Sequence, residues 1–511
     1  MAAAPPTASG VTPTLILRTK ADLQIIGDAT SSSPKTLAVI PGSFTECPVE
    51  FSPDGRLLAT AMPTEIVVVD TMTMTVAARI PESSVNHALF VPCREIDDAA
   101  AASPLGWLLM SHRPMTPSRT DGNVVIWRVH DGSEVLRMVQ SKWPAFHWTT
   151  DGQFAVRSIH TCIHVHAGRL WSSAEPVSKL AVELPVTKSP VLAMCPTPTP
   201  LCGIFVPAHK SNQAMARIVR LPTLSDDVLV RNLGKADDAS LSWSKSGSAL
   251  LVLAKSDTDR TGQSYYGSAA LTLLNVRERQ CYPVVLGRDD SSTSIHDVQW
   301  SPTADEFIVI HAAMPNNKAT LFNAKGEALC QFGDASPRNL ASWSPNGRLL
   351  AIGGAGNLAG DFQFYDRSVA VATEKRSPAT LGSFSEKNSL YFWSPCSRVL
   401  VAANVFSRLR ISNKYVLWKH SGERLAEVKF DELHEAVFLP VPASAFPVRS
   451  PSPVKVTAAA KPQAYRPPHQ SAAAAALLAR PTSSSSAHVK PATTGPIGSA
   501  VVVEDKKKRR R

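Results

Sequence analysis

The apolar residues of this chain occur in short runs, and the same phrase precedes many of these runs. The phrase is an aromatic residue, then Ser-Pro-x-Gly or a close variant, then a nearly continuous apolar segment. Clear copies begin at Phe51, Trp148, Trp243, Trp300, Trp343 and Trp393, and weaker copies lie at Phe90, around Cys195 and at Phe438. Successive copies are roughly 40–60 residues apart, a spacing that indicates a repeat architecture.

Each copy predicts two short strands joined by a tight turn. Proline fixes φ at one turn position and glycine permits φ > 0 at another, so Ser-Pro-x-Gly suits a tight turn. The aromatic residue is expected to end the first strand with its ring in the core. The apolar run after the turn is typical of a strand covered on both faces. Later dipeptides such as Asp131-Gly132, Lys325-Gly326 and Ser421-Gly422 predict a further hairpin in several copies.

Together these elements predict an all-β protein, a β-propeller of the WD40 type. Four short antiparallel strands per repeat, with no long amphipathic helix between repeats, are typical of propeller blades. Nine anchors predict nine blades, and the weak copies leave eight or ten open. The strand-like segment 15–26 precedes the first anchor, so we expect it to complete the last blade and close the ring. The predicted divisions are a flexible N-terminus at 1–14, the propeller at 15–439 and a tail at 440–511.

The predicted tail differs from the rest of the chain in composition and charge. About half of its residues are Pro, Ala or Ser, and only Phe446 and Tyr465 are aromatic, so disorder is predicted. Residues 440–511 hold 12 Lys or Arg and 2 Asp or Glu, which accounts for +10 of the formal net charge of +11. The basicity therefore belongs to the tail, and the propeller is expected to be nearly neutral.

The sequence shows no pattern typical of an enzyme. It has no P-loop and no GxSxG nucleophile elbow. The glycine-rich segment 353–360 follows a predicted strand and opens no helix, so it is interpreted as a hairpin loop. We therefore predict a protein without catalysis, cofactor or metal.

One cluster of metal-ligand residue types lies in segment 158–166. Strand alternation would place His160, Cys162, His164 and His166 on one face. Four such residues form a line of roughly 20 Å, which cannot enclose one tetrahedral ion. A polar strand face is the preferred interpretation.

No feature of the sequence indicates secretion or a membrane span. No apolar run reaches the ~18 residues that a span needs, and the first ten residues lack the basic and apolar regions of a signal peptide. The eight cysteines are scattered and form no CxxC pair. We expect a soluble cytoplasmic protein.

Several phrases resemble the eukaryotic translation initiation factor 2A family. They are the segments 257–267, 296–323, 336–366, 407–425 and 464–469. The resemblance implies a monomeric nine-bladed propeller that associates with the small ribosomal subunit. It also implies GTP-independent delivery of initiator methionyl-tRNA and a role at non-standard start codons or under stress. The family's long, charged C-terminal region is replaced here by a short Pro/Ala/Ser-rich tail.

Candidate RNA or ribosome contacts follow from residue chemistry and from the shared phrases. Cations neutralise phosphates and tyrosines stack on bases. The candidates are Lys506, Lys507, Lys508, Arg509, Arg510, Arg511, Arg466, Tyr265, Tyr266, Arg338, Asn339, Arg408 and Arg410. For the tyrosines, packing within their loop is the alternative, and for the propeller arginines and Asn339 it is a structural role.

Two functional hypotheses remain from the sequence. The first is a translation factor whose partners are the rRNA and proteins of the small ribosomal subunit, initiator tRNA, mRNA and, through the tail, other initiation factors. The second is a protein-interaction scaffold in which Lys506–Arg511 is a nuclear address or a non-specific anchor. The first predicts a cytoplasmic, ribosome-associated protein, and the second allows nuclear entry.

Overall fold

The structure is a computed structural model of the 511-residue chain. It describes residues 12–31, 33–94, 103–115, 122–140, 142–168, 175–184, 188–256, 268–287, 294–372, 378–442 and 445–451.

The first half of the described chain forms three N-terminal strands and then four sheets of four antiparallel strands. The N-terminal strands are β1 (Leu15–Thr19), β2 (Asp22–Gly27) and β3 (Lys35–Pro41). Blade 1 contains β4 (Glu50–Phe51), β5 (Leu57–Ala61), β6 (Ile66–Asp70) and β7 (Thr75–Ile80). Blade 2 contains β8 (His87–Arg94), β9 (Trp107–His112), β10 (Val124–Arg128) and β11 (Glu134–Met138). Blade 3 contains β12 (His147–Trp148), β13 (Phe154–Ile159), β14 (Cys162–Ala167) and β15 (Ser178–Ala181). Blade 4 contains β16 (Val191–Met194), β17 (Leu201–Val206), β18 (Met215–Arg220) and β19 (Asp227–Asn232).

The second half continues the same pattern and ends on a single strand. Blade 5 contains β20 (Asp238–Trp243), β21 (Ala249–Ser256), β22 (Ser268–Asn275) and β23 (Gln280–Pro283). Blade 6 contains β24 (Ile295–Trp300), β25 (Glu306–His311), β26 (Lys318–Asn323) and β27 (Ala328–Gln331). Blade 7 contains β28 (Leu340–Trp343), β29 (Leu349–Gly353), β30 (Asp361–Asp366), the helix α1 (Arg367–Ala372) and β31 (Gly382–Ser385). Blade 8 contains β32 (Leu390–Trp393), β33 (Val399–Asn404), β34 (Lys414–Lys419) and β35 (Arg424–Lys429). The last strand, β36 (Leu433–Phe438), joins β1, β2 and β3 as blade 9.

The nine predicted blades are confirmed, and the closing role of segment 15–26 is confirmed with them. First strands of neighbouring blades contact each other, as β16 does with β20 and β24 with β28, so they lie innermost. The middle strands are buried almost throughout because neighbouring blades cover both of their faces. Blade-to-blade packing therefore supplies the core, and each anchor phrase supplies one innermost strand and its turn.

The repeated turn is held by its serine. In blade 7, Ser344 is fully buried and its hydroxyl accepts a hydrogen bond from the backbone N–H of Leu349 (2.8 Å). The backbone carbonyl of Ser344 accepts a hydrogen bond from the N–H of Gly347 (2.8 Å). Gly347 has φ +70°, which is why glycine recurs at this position. Blade 8 places Ser397 there instead, at φ 59°. The phrase is therefore repeated because its local hydrogen bonds require it.

The anchor tryptophans connect blades, which the sequence did not predict. At four of the five anchor tryptophans, Trp148 being the fifth, the indole N–H donates to a carbonyl on the innermost strand of the preceding blade: Trp243 to Ala193 (2.9 Å), Trp300 to Ser242 (2.9 Å), Trp343 to Gln299 (3.4 Å) and Trp393 to Ser342 (3.1 Å). Only the last of these four rings is buried, and the others are half-buried. The expected place of the ring in the core is confirmed at Trp148 and Trp393, which belong to buried clusters, and the rings of Trp243, Trp300 and Trp343 pack against such clusters between blades.

The connections fall on two opposite faces of the ring. Antiparallel strands alternate in direction, so the Ser-Pro turns and the turns between third and fourth strands share one face, here called the lower face. The turns between second and third strands and the connections between blades share the other, here called the upper face. Among the described residues, no helix is long and apolar enough to cross a membrane.

The described end of the chain lies on the lower face. The Nη1 atom of Arg348, in the Ser-Pro turn of blade 7, is 3.4 Å from the hydroxyl of Ser450. Ser450, which lies within the predicted tail, therefore contacts the propeller. Phe446 is half-buried there, whereas residues 447–450 are exposed.

The ring closes through pairing of β1 with β36, which matches Leu15 with Phe438. Arg18 donates to Glu435 from Nε (3.2 Å) and Nη2 (3.0 Å), and the arginine side chain is only 4% exposed. The same carboxylate accepts the backbone N–H of Val49 in blade 1 (2.9 Å). One half-buried carboxylate on β36 thus connects β1 with the start of blade 1.

Replacing Arg18 with Met should lower the free energy of unfolding by about 3 kcal/mol, because the half-buried charge of Glu435 would lose its partner. Lys20→Met is the matched control. Lys20 also pairs across the closure, with Glu432 (3.1 Å), but its side chain is 71% exposed, so its removal should cost less than about 1 kcal/mol. Urea denaturation measures both, and equal losses of stability would contradict a closure that depends on the pair of Arg18 and Glu435.

Glu50 predicts a pH dependence of stability. Burial, and then the charge of Glu435, raise the pKa of Glu50 to about 7. The unfolded chain ionises this group at lower pH than the folded chain, so stability should fall as the pH rises from about 4.5 to 7. Glu50→Gln should therefore be more stable than the parent at pH 8 by about 1–2 kcal/mol, allowing for partial exposure, and equal to it at pH 4. Denaturation at both pH values measures this, and a difference independent of pH would refute it.

Candidate functional site

The shared phrases of blades 7 and 8 meet on the upper face. Three connections build this surface, here called the blade 7–8 patch: residues 353–361, 386–389 and 405–413. Glu386 donates its N–H to the carbonyl of Gly360 (3.0 Å), and its carboxylate pairs with Lys414 (2.6 Å). Burial would lower the pKa of Lys414, but the hydrogen bond and charge of Glu386 raise it overall. The patch is therefore continuous from one blade to the next.

Asn339 fixes the glycine-rich loop of the patch. Its Oδ1 accepts the N–H of Ala355 (2.8 Å) and its Nδ2 donates to the Ala355 carbonyl (3.2 Å). The loop joins β29 to β30, so the predicted hairpin loop is confirmed. Both polar atoms of this predicted contact residue are therefore used inside the protein.

Arg338 is buried, which corrects its prediction as a surface contact. It is 3% exposed, and its guanidinium donates to the carbonyls of Phe332 (2.7 Å) and Asp334 and to the hydroxyl of Ser336 (3.0 Å). Burial lowers the pKa of Arg338. The physical reason is that the connection from blade 6 to blade 7 turns its carbonyls inward, and the arginine supplies their donors.

A polar cavity of about 520 Å³ lies beside Arg338, against β29, β30 and β31 of blade 7 and the connection that enters this blade. Its polar lining includes Ser336, Asp361, Gln363, Ser383 and Ser385. Arg338 has already committed its donors to the loop, so it shapes this cavity rather than offering it a free cation.

The loop 405–413 of blade 8 is built on a buried asparagine. Asn413 is 2% exposed; its Nδ2 donates to the Leu409 carbonyl (2.7 Å) and its Oδ1 accepts the N–H of Leu433 (3.0 Å). The N–H groups of Arg408 and Leu409 both donate to the Val405 carbonyl (3.0 and 2.9 Å). These bonds give the loop a defined shape.

The tip of this loop presents two cations and two apolar side chains to solvent. Arg408 and Arg410 are exposed, as are Leu409 (41%) and Ile411 (70%). The Arg410 guanidinium is 5.6 Å from the centre of the Phe406 ring, and neither arginine forms an ion pair with another described residue. The two predicted contact residues therefore lie together with free charges.

Sequence reasoning missed the apolar part of this tip. Leu409 and Ile411 alternate with the arginines between two strong strands, where apolar residues are not needed for the core. Apolar residues in such a connection between strands were the sequence signal for an exposed apolar contact. The other predicted contacts lie outside the described residues: Tyr265, Tyr266, Arg466 and Lys506–Arg511.

The histidine-rich segment 158–166 is a hairpin rather than one strand. His160 lies in the turn between β13 and β14, at φ 50°, so it does not share a face with His164 and His166 as the alternation predicted. Burial, and then the charge of Arg157, lower the pKa of His166 to about 4. Within the described ranges, no group of three His, Cys, Asp or Glu side chains is placed to hold a metal ion.

Arg338→Ala should destabilise the protein by about 3 kcal/mol, because buried carbonyls lose their donors. Arg408→Ala, on the exposed tip, should change stability by less than about 0.5 kcal/mol. Urea denaturation of the two variants separates the structural arginine from the surface one. A small loss of stability at Arg338 would contradict its assignment.

Comparison with known proteins shows which family this chain resembles. A family model described as eukaryotic translation initiation factor eIF2A matches residues 231–436, which include the blade 7–8 patch. The chain is 30% identical to eukaryotic translation initiation factor 2A of Dictyostelium discoideum over 438 residues, covering 82% of this chain and 66% of that protein. It is 28% identical to the protein of the same name from Schizosaccharomyces pombe over 463 residues, covering 86% and 74%.

A solved structure shares the fold. A crystal structure described as that of a eukaryotic initiation factor superposes with a TM-score of 0.70 at 24% identity, covering 84% of this chain and 99% of the other. At that identity the likeness establishes the fold alone. The family match and the relatives from Dictyostelium discoideum and Schizosaccharomyces pombe identify this chain as a member of the eukaryotic translation initiation factor 2A family.

Proposed function

We propose that this chain is a non-catalytic translation initiation factor that binds the small (40S) ribosomal subunit. In this role it assists GTP-independent delivery of initiator methionyl-tRNA or selection of the start site. The observation that carries the proposal is the tip of loop 405–413, where unpaired Arg408 and Arg410 stand exposed within the family-matched region. The protein acts in the cytoplasm, on the ribosome.

The chemistry of the tip suits a surface made of RNA and protein. Guanidinium groups donate in pairs to phosphate oxygens and stack on unpaired bases. The exposed Leu409 and Ile411 add apolar area that a solvated RNA contact does not need, so they favour a neighbouring ribosomal protein. A tip with both properties fits a boundary between rRNA and protein.

The C-terminal cations would add a second, unspecific attraction. Six charges at Lys506–Arg511 that each neutralise one phosphate give a slope of log K against log salt of roughly −4. This attraction does not depend on RNA sequence, so selectivity must come from the propeller. Arg466, Tyr265 and Tyr266 remain proposed contacts with RNA or with other initiation factors.

Sedimentation with purified small ribosomal subunits tests the proposal on the full chain. Arg408→Glu with Arg410→Glu should weaken binding at least about tenfold. Because two phosphates would no longer be neutralised, the same change should reduce the salt slope by about 1.4. Replacing Lys506–Arg511 with serines should reduce the slope by about 4 but leave binding measurable at low salt.

The matched control makes the same charge change on the other face. Lys245→Glu with Arg277→Glu alters two exposed cations of blade 5 on the lower face and should leave binding unchanged. If only the change at Lys506–Arg511 weakens binding, or if the control weakens it equally, the tip does not contact the small ribosomal subunit specifically. A protein-interaction scaffold would then be the better description.

A further inference from the structure

The segment 446–451 lies on the lower face against the turns of blades 7 and 8. It borders a shallow cavity whose lining includes Asn346, Cys396, Arg398, His420 and Arg449. No Asp or Glu is among the residues that line this cavity. It is therefore a cationic and polar surface formed partly by the segment itself.

Ser450 stands at the edge of this cavity. It is exposed, its hydroxyl is 3.4 Å from Nη1 of Arg348, and Pro451 follows it. The guanidinium of Arg348 is held in place by Asp366, at 3.2 Å from Nε and 3.0 Å from Nη2. The two hydrogen bonds to Asp366 therefore orient the guanidinium so that Nη1 faces the Ser450 hydroxyl.

This Ser-Pro pair differs from those of the blade turns. There the serine hydroxyls are buried and hold the turn together, as at Ser52, Ser301, Ser344 and Ser394. Residues 447–451 form no strand or helix, so Ser450 is presented like an extended peptide. A kinase can reach this serine without unfolding a blade.

We propose that Ser450 is a phosphorylation site for a proline-directed protein kinase, and that the phosphate is held on the lower face by Arg348 and Arg398. The hydroxyl oxygen attacks the γ-phosphorus of ATP, a new P–O bond forms, the β–γ anhydride bond breaks, and ADP leaves. The hydroxyl proton passes to the base of the kinase. The product carries a charge of about −2 beside guanidinium groups, which form strong bidentate pairs with phosphate.

Phosphorylation of Ser450 would attach the segment 446–451 more firmly to the lower face. Without the phosphate, a single 3.4 Å contact joins Ser450 to the propeller. With it, the segment forms charge-assisted bonds to two blades, because Arg348 belongs to blade 7 and Arg398 to blade 8. This regulation is independent of the proposed ribosome contacts on the upper face.

The test phosphorylates the full chain with a purified mitogen-activated or cyclin-dependent kinase and ATP, and maps the sites by mass spectrometry. The neighbouring Ser452-Pro453 pair supplies the control, since Ser450→Ala and Ser452→Ala each leave one of the two serines available. The ³¹P NMR signal that is absent from Ser450→Ala belongs to the phosphate on Ser450. Its chemical shift is then followed as a function of pH to give the second pKa of that phosphate.

A phosphate held by guanidinium groups should have its second pKa at least one unit below the value of about 6 for free phosphoserine. Arg398→Gln should return that pKa toward 6, whereas Arg424→Gln, at another exposed arginine of blade 8, should not. Absence of phosphate at Ser450 overturns the proposal, as does a second pKa equal to that of phosphoserine at position 452.

Discussion

The ring depends on one pairing, that of β1 with β36, and the proposed contact loop depends on it too. The pairing brings together residues more than 400 positions apart, so its closure entropy must be offset by buried contacts. Arg18 and Glu435 provide the polar part. Leu433, at the start of β36, accepts the N–H of Phe406 and donates its own N–H to Asn413. The closing strand therefore holds the loop that carries Arg408 and Arg410.

The innermost strands use the same arrangement twice. Glu435, three residues before the anchor Phe438, accepts the backbone N–H of Val49 in the next blade. Asp297, three residues before the anchor Trp300, accepts the backbone N–H of Ala341 in the next blade (2.8 Å). Burial raises the pKa of both carboxyl groups. Together with the tryptophan N–H bonds, these contacts satisfy backbone groups that a wide ring would leave unpaired between blades. Nine blades thus stay in register through polar contacts at the centre and apolar packing further out.

The sequence predicted what is local and missed what depends on neighbours. The blades and their turns follow from one phrase, because the Ser344 hydroxyl and Gly347 act within a few residues. Arg338 could not be placed in the same way, since only the folded connection shows carbonyls pointing at its guanidinium. His160 was misplaced because a two-residue turn interrupts an alternation that reads as continuous. The contact of Ser450 with blade 7 could not be predicted either, because Arg348 lies 102 positions away in the sequence.

The cationic surfaces of the tip and of the Ser450 site lie on opposite faces, and this limits what one partner can contact. Arg408 and Arg410 project from the upper face, whereas Arg348 and Arg398 belong to Ser-Pro turns on the lower face. Arg348 is partly neutralised by Asp366, but Arg408 and Arg410 have no ion-pair partner among the described residues. The upper cations therefore suit an extended polyanion, and the supported guanidinium below suits one small anion on the chain itself. The different local charge balance distinguishes the proposed partner surface at the tip from the proposed phosphate site at Ser450.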